Sequence, residues 1–260
     1  MAKKKTGVPQ NVMRNAVRTL MSNIMFADVD NPVKTLVITS SIPNEGKSTV
    51  ALNLAEAFAA SGKRTLIVEA DMRRRALADL AGVHAPAGLY AVLSGRVAVE
   101  NAITPTQTKR LDVLDCEPHI PNPPDILSSK RFSHLLARLE KAYDIIIFDT
   151  PPVGTFVDAA ILSRLVDGTI VVVRDNFTRR DDLVSAMDQL NKAEANILGT
   201  VLNDTEVENS SYYYSYYIKN GKRKRKRSDE APGPSADFSD YDPAANDTPL
   251  PARRGSHFNN

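Results

Sequence analysis

Between Pro9 and about Asp28 the apolar residues Val12, Val17, Leu20, Ile24 and Met25 recur at helical intervals among Asn, Arg and Ser, which predicts one amphipathic N-terminal helix. From Lys34 to about Asn203 short β-branched runs alternate with helical stretches. The runs predict strands at Thr35–Thr39, Thr65–Val68, Leu111–Leu114, Ile145–Phe148, Thr169–Val173 and Ile197–Leu202. Helices are expected at Lys47–Ala60, Lys130–Lys141 and Asp181–Lys192. Strands of near-continuous Val, Ile and Leu separated by helices imply an α/β fold, a mostly parallel sheet with helices on both faces. After Asn203 the pattern collapses into a tyrosine cluster, a basic run and then Pro, Gly, Ser, Asp and Asn. Such a stretch cannot bury enough apolar surface to offset the entropy of ordering it, so a mostly disordered tail is expected. The expected organisation is a helical, basic start over 1–33, one α/β domain over 34–205 and a tail over 206–260.

Composition adds exclusions. With 42% apolar and 25% charged residues in 260, collagen-like, coiled-coil and wholly disordered chains are ruled out. A single cysteine, Cys116, precludes an intramolecular disulfide and fits a reducing, cytoplasmic compartment. It forms no cluster with the four scattered histidines at metal-ligand spacing. No apolar run reaches the roughly 18 residues of a spanning helix, and Lys3–Lys5 are not followed by the apolar stretch of a signal peptide. The net charge of +2 conceals an asymmetry: +3 at Lys3–Lys5, +6 at Lys222–Arg227, −4 over 228–260 and −3 on the remainder.

The chemistry concentrates at three strand ends. Thr35–Thr39 runs into Ser40-Ser41-Ile42-Pro43-Asn44-Glu45-Gly46-Lys47-Ser48-Thr49 and then an Ala/Leu-rich helix. A strand, tight loop and helix N-terminus surround a phosphate with backbone N–H groups, Lys47 reaching the β/γ-phosphates and Ser48 a Mg²⁺ ion. Ser41 stands where the strict pattern has its first glycine. Ile145–Phe148 ends in Asp149, a carboxylate at the sheet's carboxyl edge, where a P-loop protein orders Mg²⁺. Leu66–Val68 leads into Glu69-Ala70-Asp71-Met72-Arg73-Arg74-Arg75. That strand is expected close to the P-loop strand, with Glu69 and Asp71 on one face toward the phosphates. Three carboxylates around one Mg·nucleotide suit phosphoryl transfer. The bland alternatives are an N-capped helix with a solvated Lys47, an Asp that merely ends a strand, and acids paired with Arg73–Arg75.

Tyr212, Tyr213, Tyr214, Tyr216 and Tyr217 hold five of the eight tyrosines in six positions, without apolar alternation. The bland reading is an aromatic edge strand or a sticky low-complexity patch, but packing has little use for such a run. Roughly nine residues, a contour of about 30 Å, separate it from the last strand, enough to reach a neighbouring subunit's site. The following Lys222–Arg227 is either a solvated run or a contact to an anionic membrane surface, with nucleic acid the weaker reading.

These elements in this order resemble the bacterial tyrosine kinases of capsule and exopolysaccharide systems, from the N-terminal helix to Tyr217. Arg18-Thr19-Leu20, Gly88-Leu89, Val92-Leu93-Ser94-Gly95, Pro121-Asn122-Pro123, Val173-Arg174, Thr178 and Val201-Leu202-Asn203 carry the rest of the likeness. The resemblance implies a P-loop kinase domain using ATP and Mg²⁺. Asn44, Glu45, Gly46, Lys47, Ser48, Thr49 and Asn203 would bind the nucleotide, and Ser48, Asp149 and Glu69 the metal. Lys47, Asp71, Glu69 and Asp149 would be catalytic, with Asp71 accepting the tyrosine proton and Tyr212, Tyr213, Tyr214, Tyr216 and Tyr217 serving as phosphoacceptors. It further implies a membrane-spanning activator that regulates polysaccharide chain length, an opposing phosphotyrosine phosphatase, and recruitment to the inner face of the cell membrane. Three elements depart from the family pattern at four positions: Glu69 replaces its usual Asp, Asn44 its usual phosphate-loop Gly, and Asn15-x-x-Arg18-x-x-Met21 its oligomerisation motif Glu-x-x-Arg-x-x-Arg, with two of three charges absent. A homo-oligomer is implied only as far as that motif survives. The alternative class is a nucleotide-switched spatial organiser of the septum-positioning type, which carries a second lysine where this chain has Ile42 and lacks the tyrosines.

Overall fold

The computed structural model describes residues 10–27 and 30–205, all within the first of two units into which the chain divides, Met1–Val207 and Glu208–Asn260. The tyrosine cluster and the basic run lie outside the described residues.

A long helix α1 (Gln10–Ala27) precedes the sheet. The order then runs β1 (Thr35–Ser40), α2 (Lys47–Ala60), β2 (Thr65–Glu69), α3 (Leu77–Ala81), α4 (Leu89–Leu93), α5 (Val99–Ala102), β3 (Ile103–Pro105) and β4 (Leu111–Leu114). It continues through α6 (Pro123–Leu127), α7 (Lys130–Ala142), β5 (Ile145–Asp149), α8 (Asp158–Ser163), β6 (Gly168–Arg174), α9 (Arg180–Lys192) and β7 (Ile197–Asn203). The six anticipated strands and four anticipated helices are present within a residue or two. Strand β3 and the helices α3 to α6 and α8 were not anticipated, because elements of three to six residues are too short for an 11–18-residue periodicity window.

The seven strands are ordered β3-β4-β2-β5-β1-β6-β7, all parallel except the short edge β3, which pairs antiparallel with β4. β2 lies close to the P-loop strand β1, as expected, at a distance of one intervening strand. β5 lies between them and pairs with both. A consequence for the site is that Asp149 sits in register with Ile38 on one side and Glu69 on the other. The chain leaves β1 toward β2 on one flank and later reaches β6 on the other, so a crevice opens at the carboxyl ends beside β1, where open α/β sheets bind ligands.

Period-2 alternation within uninterrupted apolar strands fills two cores. Leu36, Ile38, Ile67, Ile145, Ile147, Ile170 and Val172 face α2 and its Leu54 and Phe58, with Ile24 of α1 behind them. Val37, Leu66, Val68, Ile146, Phe148 and Val171 face the other way onto α7, α8 and α9, and Phe148 meets Phe132 of α7 at 6.0 Å between ring centroids. Both faces being covered explains why the strands read as continuous rather than alternating. No described helix is long and apolar enough to cross a membrane.

Phe58 is wholly buried between α2 and the sheet. Truncation to Ala removes its transfer energy and leaves a cavity, so Phe58→Ala should lower unfolding stability by about 3–5 kcal/mol, read as a drop in the urea midpoint at unchanged m-value.

Candidate functional site

The phosphate loop is built by the turn from β1 into α2. Asn44 and Gly46 both take left-handed backbone conformations, φ 68° and 87°. Asn is the side-chain-bearing residue that best tolerates that region. At Gly46 an added Cβ would lie 2.2 Å from Asn203 Nδ2, so only glycine fits. Gly46 is the N-cap of α2 without a side-chain cap, which leaves the first N–H groups of a 14-residue helix directed at the crevice.

The loop is braced from beneath. Glu45, wholly buried, accepts the Ile42 N–H at 2.8 Å and the Thr178 hydroxyl, which in turn accepts the Arg174 N–H at 3.0 Å. Asn203 Nδ2 donates to the Glu45 carbonyl at 2.9 Å. Glu45 and Asn203 therefore shape the loop, and Thr49 is exposed in the first turn of α2. The segment after β5 lies along the other side: Thr150 N–H donates to Ile38 O at 3.1 Å and Val153 N–H to Ser40 O at 2.9 Å. Gly154 passes so near that a Cβ would lie 2.3 Å from Ser41 O.

Lys47, Asp71 and Asp149 come together as anticipated. Lys47 Nζ is 3.1 Å from Asp71 Oδ2, 3.5 Å from Asp149 Oδ1 and 3.3 Å from Ser48 Oγ. Burial alone would lower the Lys47 pKa, but Asp149, Asp71 and Glu69 together raise it above its ordinary value, so the ammonium stays charged. Asp149 is fully buried, and desolvation pushes it up to about 6 against the opposing pull of Lys47 and the Ser48 hydrogen bond. Its Oδ2 has no partner among the described residues. A buried carboxylate oxygen without a donor, beside the Ser48 hydroxyl at a helix N-terminus, fits a Mg²⁺ ion completed by waters and substrate phosphates. Such a site needs no protein cage, and among the described residues no group of three or more His, Cys, Asp or Glu forms one.

Glu69 is placed differently from its neighbours. Oε1 accepts the Asp71 N–H at 3.0 Å, and Oε2 accepts those of Ala76 and Leu77 at 2.7 and 3.0 Å. Both oxygens are spent on the backbone that shapes the loop carrying Asp71. Desolvation and the charge of Asp149 push its pKa up to about 8 despite these donors and Lys47.

Sequence reasoning missed Asp158, 85 residues from its partner. This fully buried carboxylate pairs with Arg73 Nη1 at 2.6 Å, and the same guanidinium stacks 4.0 Å above the Phe156 ring. The clamp ties the Asp71 loop to the segment after Asp149. The one faint signal was an acid opening a short apolar run at Asp158-Ala159-Ala160-Ile161-Leu162. Cys116 is buried with its thiol pKa pushed up by desolvation, which makes it inert.

A mostly parallel sheet with a lysine-bearing loop between β1 and α2 and a strand-end aspartate next to it defines a P-loop nucleotide-binding protein. Comparison with known proteins narrows the class. The AAA domain family matches residues 33–199. Tyrosine-protein kinase YwqD of Bacillus subtilis is 36% identical over 211 residues, covering 81% of this chain and 89% of that protein. Among solved structures, the chimerical protein CapA2B2 superposes at TM-score 0.70 with 36% identity, over 73% of this chain and 83% of that one. The kinase domain of the Escherichia coli tyrosine kinase ETK gives TM-score 0.70 at 30% identity, over 78% and 82%. The chain belongs to the bacterial tyrosine-protein kinase family. The septum site-determining protein MinD of Pyrococcus horikoshii, complexed with Mg-ADP, is a more distant neighbour at TM-score 0.57 and 26% identity, over 65% and 69%.

Glu69 binds more protons folded than unfolded between its ordinary pKa near 4.3 and about 8, so its contribution to stability falls as pH rises through that window. The urea midpoint of the nucleotide-free protein should therefore decline from pH 5 to pH 8.5, and Glu69→Gln should flatten the decline. An unchanged slope in Glu69→Gln would place the proton elsewhere.

Proposed function

We propose that this kinase transfers the γ-phosphoryl group of ATP to tyrosine hydroxyls, first on Tyr212, Tyr213, Tyr214, Tyr216 and Tyr217 of its own chain or of a neighbouring copy. The observation that carries the reading is the Lys47 ammonium bridging Asp71 and Asp149 at the mouth of the phosphate loop. Lys47 and the N–H groups of 44–49 hold the phosphates, and Ser48 with Asp149 would hold Mg²⁺. That ion, when bound, would neutralise charge on the β- and γ-phosphates. In the transfer, the phenolic oxygen bonds to the γ-phosphorus as the bond to the β-phosphate oxygen breaks. ADP leaves, and the phenolic proton passes to Asp71. A free phenol has a pKa near 10, but a loose transition state asks little of the base, so positioning dominates. Glu69 acts through the loop it shapes.

By its kinship the protein would serve capsular or exopolysaccharide synthesis and export from the cytoplasmic side of the membrane. Its partners would be a membrane-spanning activator that regulates chain length, as the CapA2B2 chimera suggests by its name, and a phosphotyrosine phosphatase. Lys222–Arg227 would add contact with anionic lipid at about 1 kcal/mol per basic residue near the surface. A homo-oligomer would bring one copy's tyrosines to another's site. The spatial-organiser reading is disfavoured by Ile42, where those proteins carry a second lysine.

Intact-mass spectrometry after incubation with Mg·ATP and the activator's cytosolic segment should find added phosphates that map to 212–217. They should be absent from Lys47→Met, whose circular dichroism stays that of the parent. ATP turnover without added mass would reverse the assignment.

A further inference from the structure

Three consecutive arginines follow the Asp71 turn, and the fold uses them unequally. Arg73 is fixed on Asp158 and Phe156. Arg75 reaches the Cys116 carbonyl at 3.2 Å and lies 3.7 Å from Asp115. Arg74 is exposed, and among the described residues its guanidinium makes a single hydrogen bond, Nη1 to Asn44 Oδ1 at 2.9 Å. Among the described residues no carboxylate pairs with it. The other guanidinium on Asn44, that of Arg174, is already neutralised by Asp204 at 2.7 Å. Among the described residues Arg74 is thus a cation without a counter-charge, held at the apex of the phosphate loop by a side chain that the family's usual glycine would not supply.

Its spacing from Asp71 is informative. The Arg74 N–H donates to the Asp71 carbonyl at 3.2 Å and to Asp71 Oδ1 at 3.0 Å, so the two residues close a four-residue turn. Such turns bring their end Cα atoms within about 7 Å. An acceptor segment bound in extended form advances about 3.3 Å per residue, so side chains two positions apart share a face at roughly the same separation. In the acceptor cluster, Tyr212, Tyr214 and Tyr216 have that spacing. With one phenol at Asp71, that backbone spacing would bring its neighbour two residues away toward Arg74, whose guanidinium lies on Asn44 of the phosphate loop. A phenol offers a guanidinium little there, whereas a phosphate offers a bidentate, charge-assisted contact.

Resting on the kinase reading, we propose that Arg74 is a specificity residue that receives a phosphotyrosine two positions from the acceptor, so that each phosphate added to the tail promotes the next on the same face.

The test uses the full chain with activator segment and Mg·ATP, and peptides spanning 209–219 in which position 216 is the sole acceptor and the other tyrosines are Phe. Phosphotyrosine at 214 should raise kcat/KM by about tenfold, the worth of a charge-assisted hydrogen bond or two. Phosphotyrosine at 217, adjacent and on the opposite face, should give no gain. Arg74→Gln should abolish the gain while leaving turnover of the unprimed peptide and the KM for ATP unchanged. A gain that survives in Arg74→Gln, an equal gain from 217, or a raised KM for ATP would each overturn the proposal, the last by making Arg74 a nucleotide contact. Fluorescence anisotropy of the labelled peptides on the Mg·ADP-loaded chain separates this from the parent reading. Arg74-dependent, about tenfold tighter binding of the 214-primed peptide supports the site even if no phosphate is transferred. Equal binding by parent and Arg74→Gln refutes it even if the kinase is active.

Discussion

A lysine ammonium withdrawn from water between two carboxylates is the interaction that the rest of this site is arranged to deliver. Lys47 lies against Asp71 and Asp149, which come from the ends of different strands. A charge desolvated this far is tolerable only with close partners. The partners must therefore be delivered accurately, and much of the surrounding architecture does that. Glu69 gathers three backbone N–H groups to fold the Asp71 loop, and the Arg73–Asp158 clamp fixes that loop to the segment beyond Asp149. Glu45, Thr178 and Asn203 hold the phosphate loop from the opposite flank. The nucleotide's phosphates would enter an electrostatic arrangement already poised, with Lys47 exchanging carboxylate neighbours for phosphate ones and Asp149 gaining a cation at its unpartnered oxygen.

This organisation also separates two roles that acidic residues at strand ends easily confuse. Glu69 and Asp149 stand side by side in the sheet, in register. One turns both oxygens to backbone donors, and the other keeps an oxygen free. The extra methylene of Glu69, relative to the family's Asp, suits reaching the N-terminus of α3 at Ala76 and Leu77. Residue type alone does not distinguish an acid that builds a loop from one that binds a metal; the count of donors around each oxygen does.

Much of the fold was legible because parallel strands buried on both faces are written as runs such as Ile145-Ile146-Ile147-Phe148, and because Gly46-Lys47-Ser48 marks the entry to α2. The strand order was not legible. Nothing in the apolar pattern of β2 says whether β1 or β5 lies beside it, since both neighbours present the same aliphatic surface. The pairing of Arg73 with Asp158 escaped for a similar reason: ion pairs distant in sequence leave no local periodicity. Short helices such as α3 and α4 follow from loops closing over the sheet rather than from amphipathic repeats.

The insertion of β5 between β1 and β2 also bears on how the chain is made. β2 can pair with β4 as soon as residue 114 is available, but β1 has only β5 and β6 as neighbours. The phosphate loop is synthesised ahead of every other strand of this sheet, yet its own strand has nothing to hydrogen-bond with until residues 145–149 emerge about a hundred positions later. During translation the nucleotide site is thus assembled late, by a long-range closure of the kind that slows folding and lengthens exposure of apolar strands. The same central strand that sets Asp149 beside the phosphate loop makes the first half of the domain wait for the second.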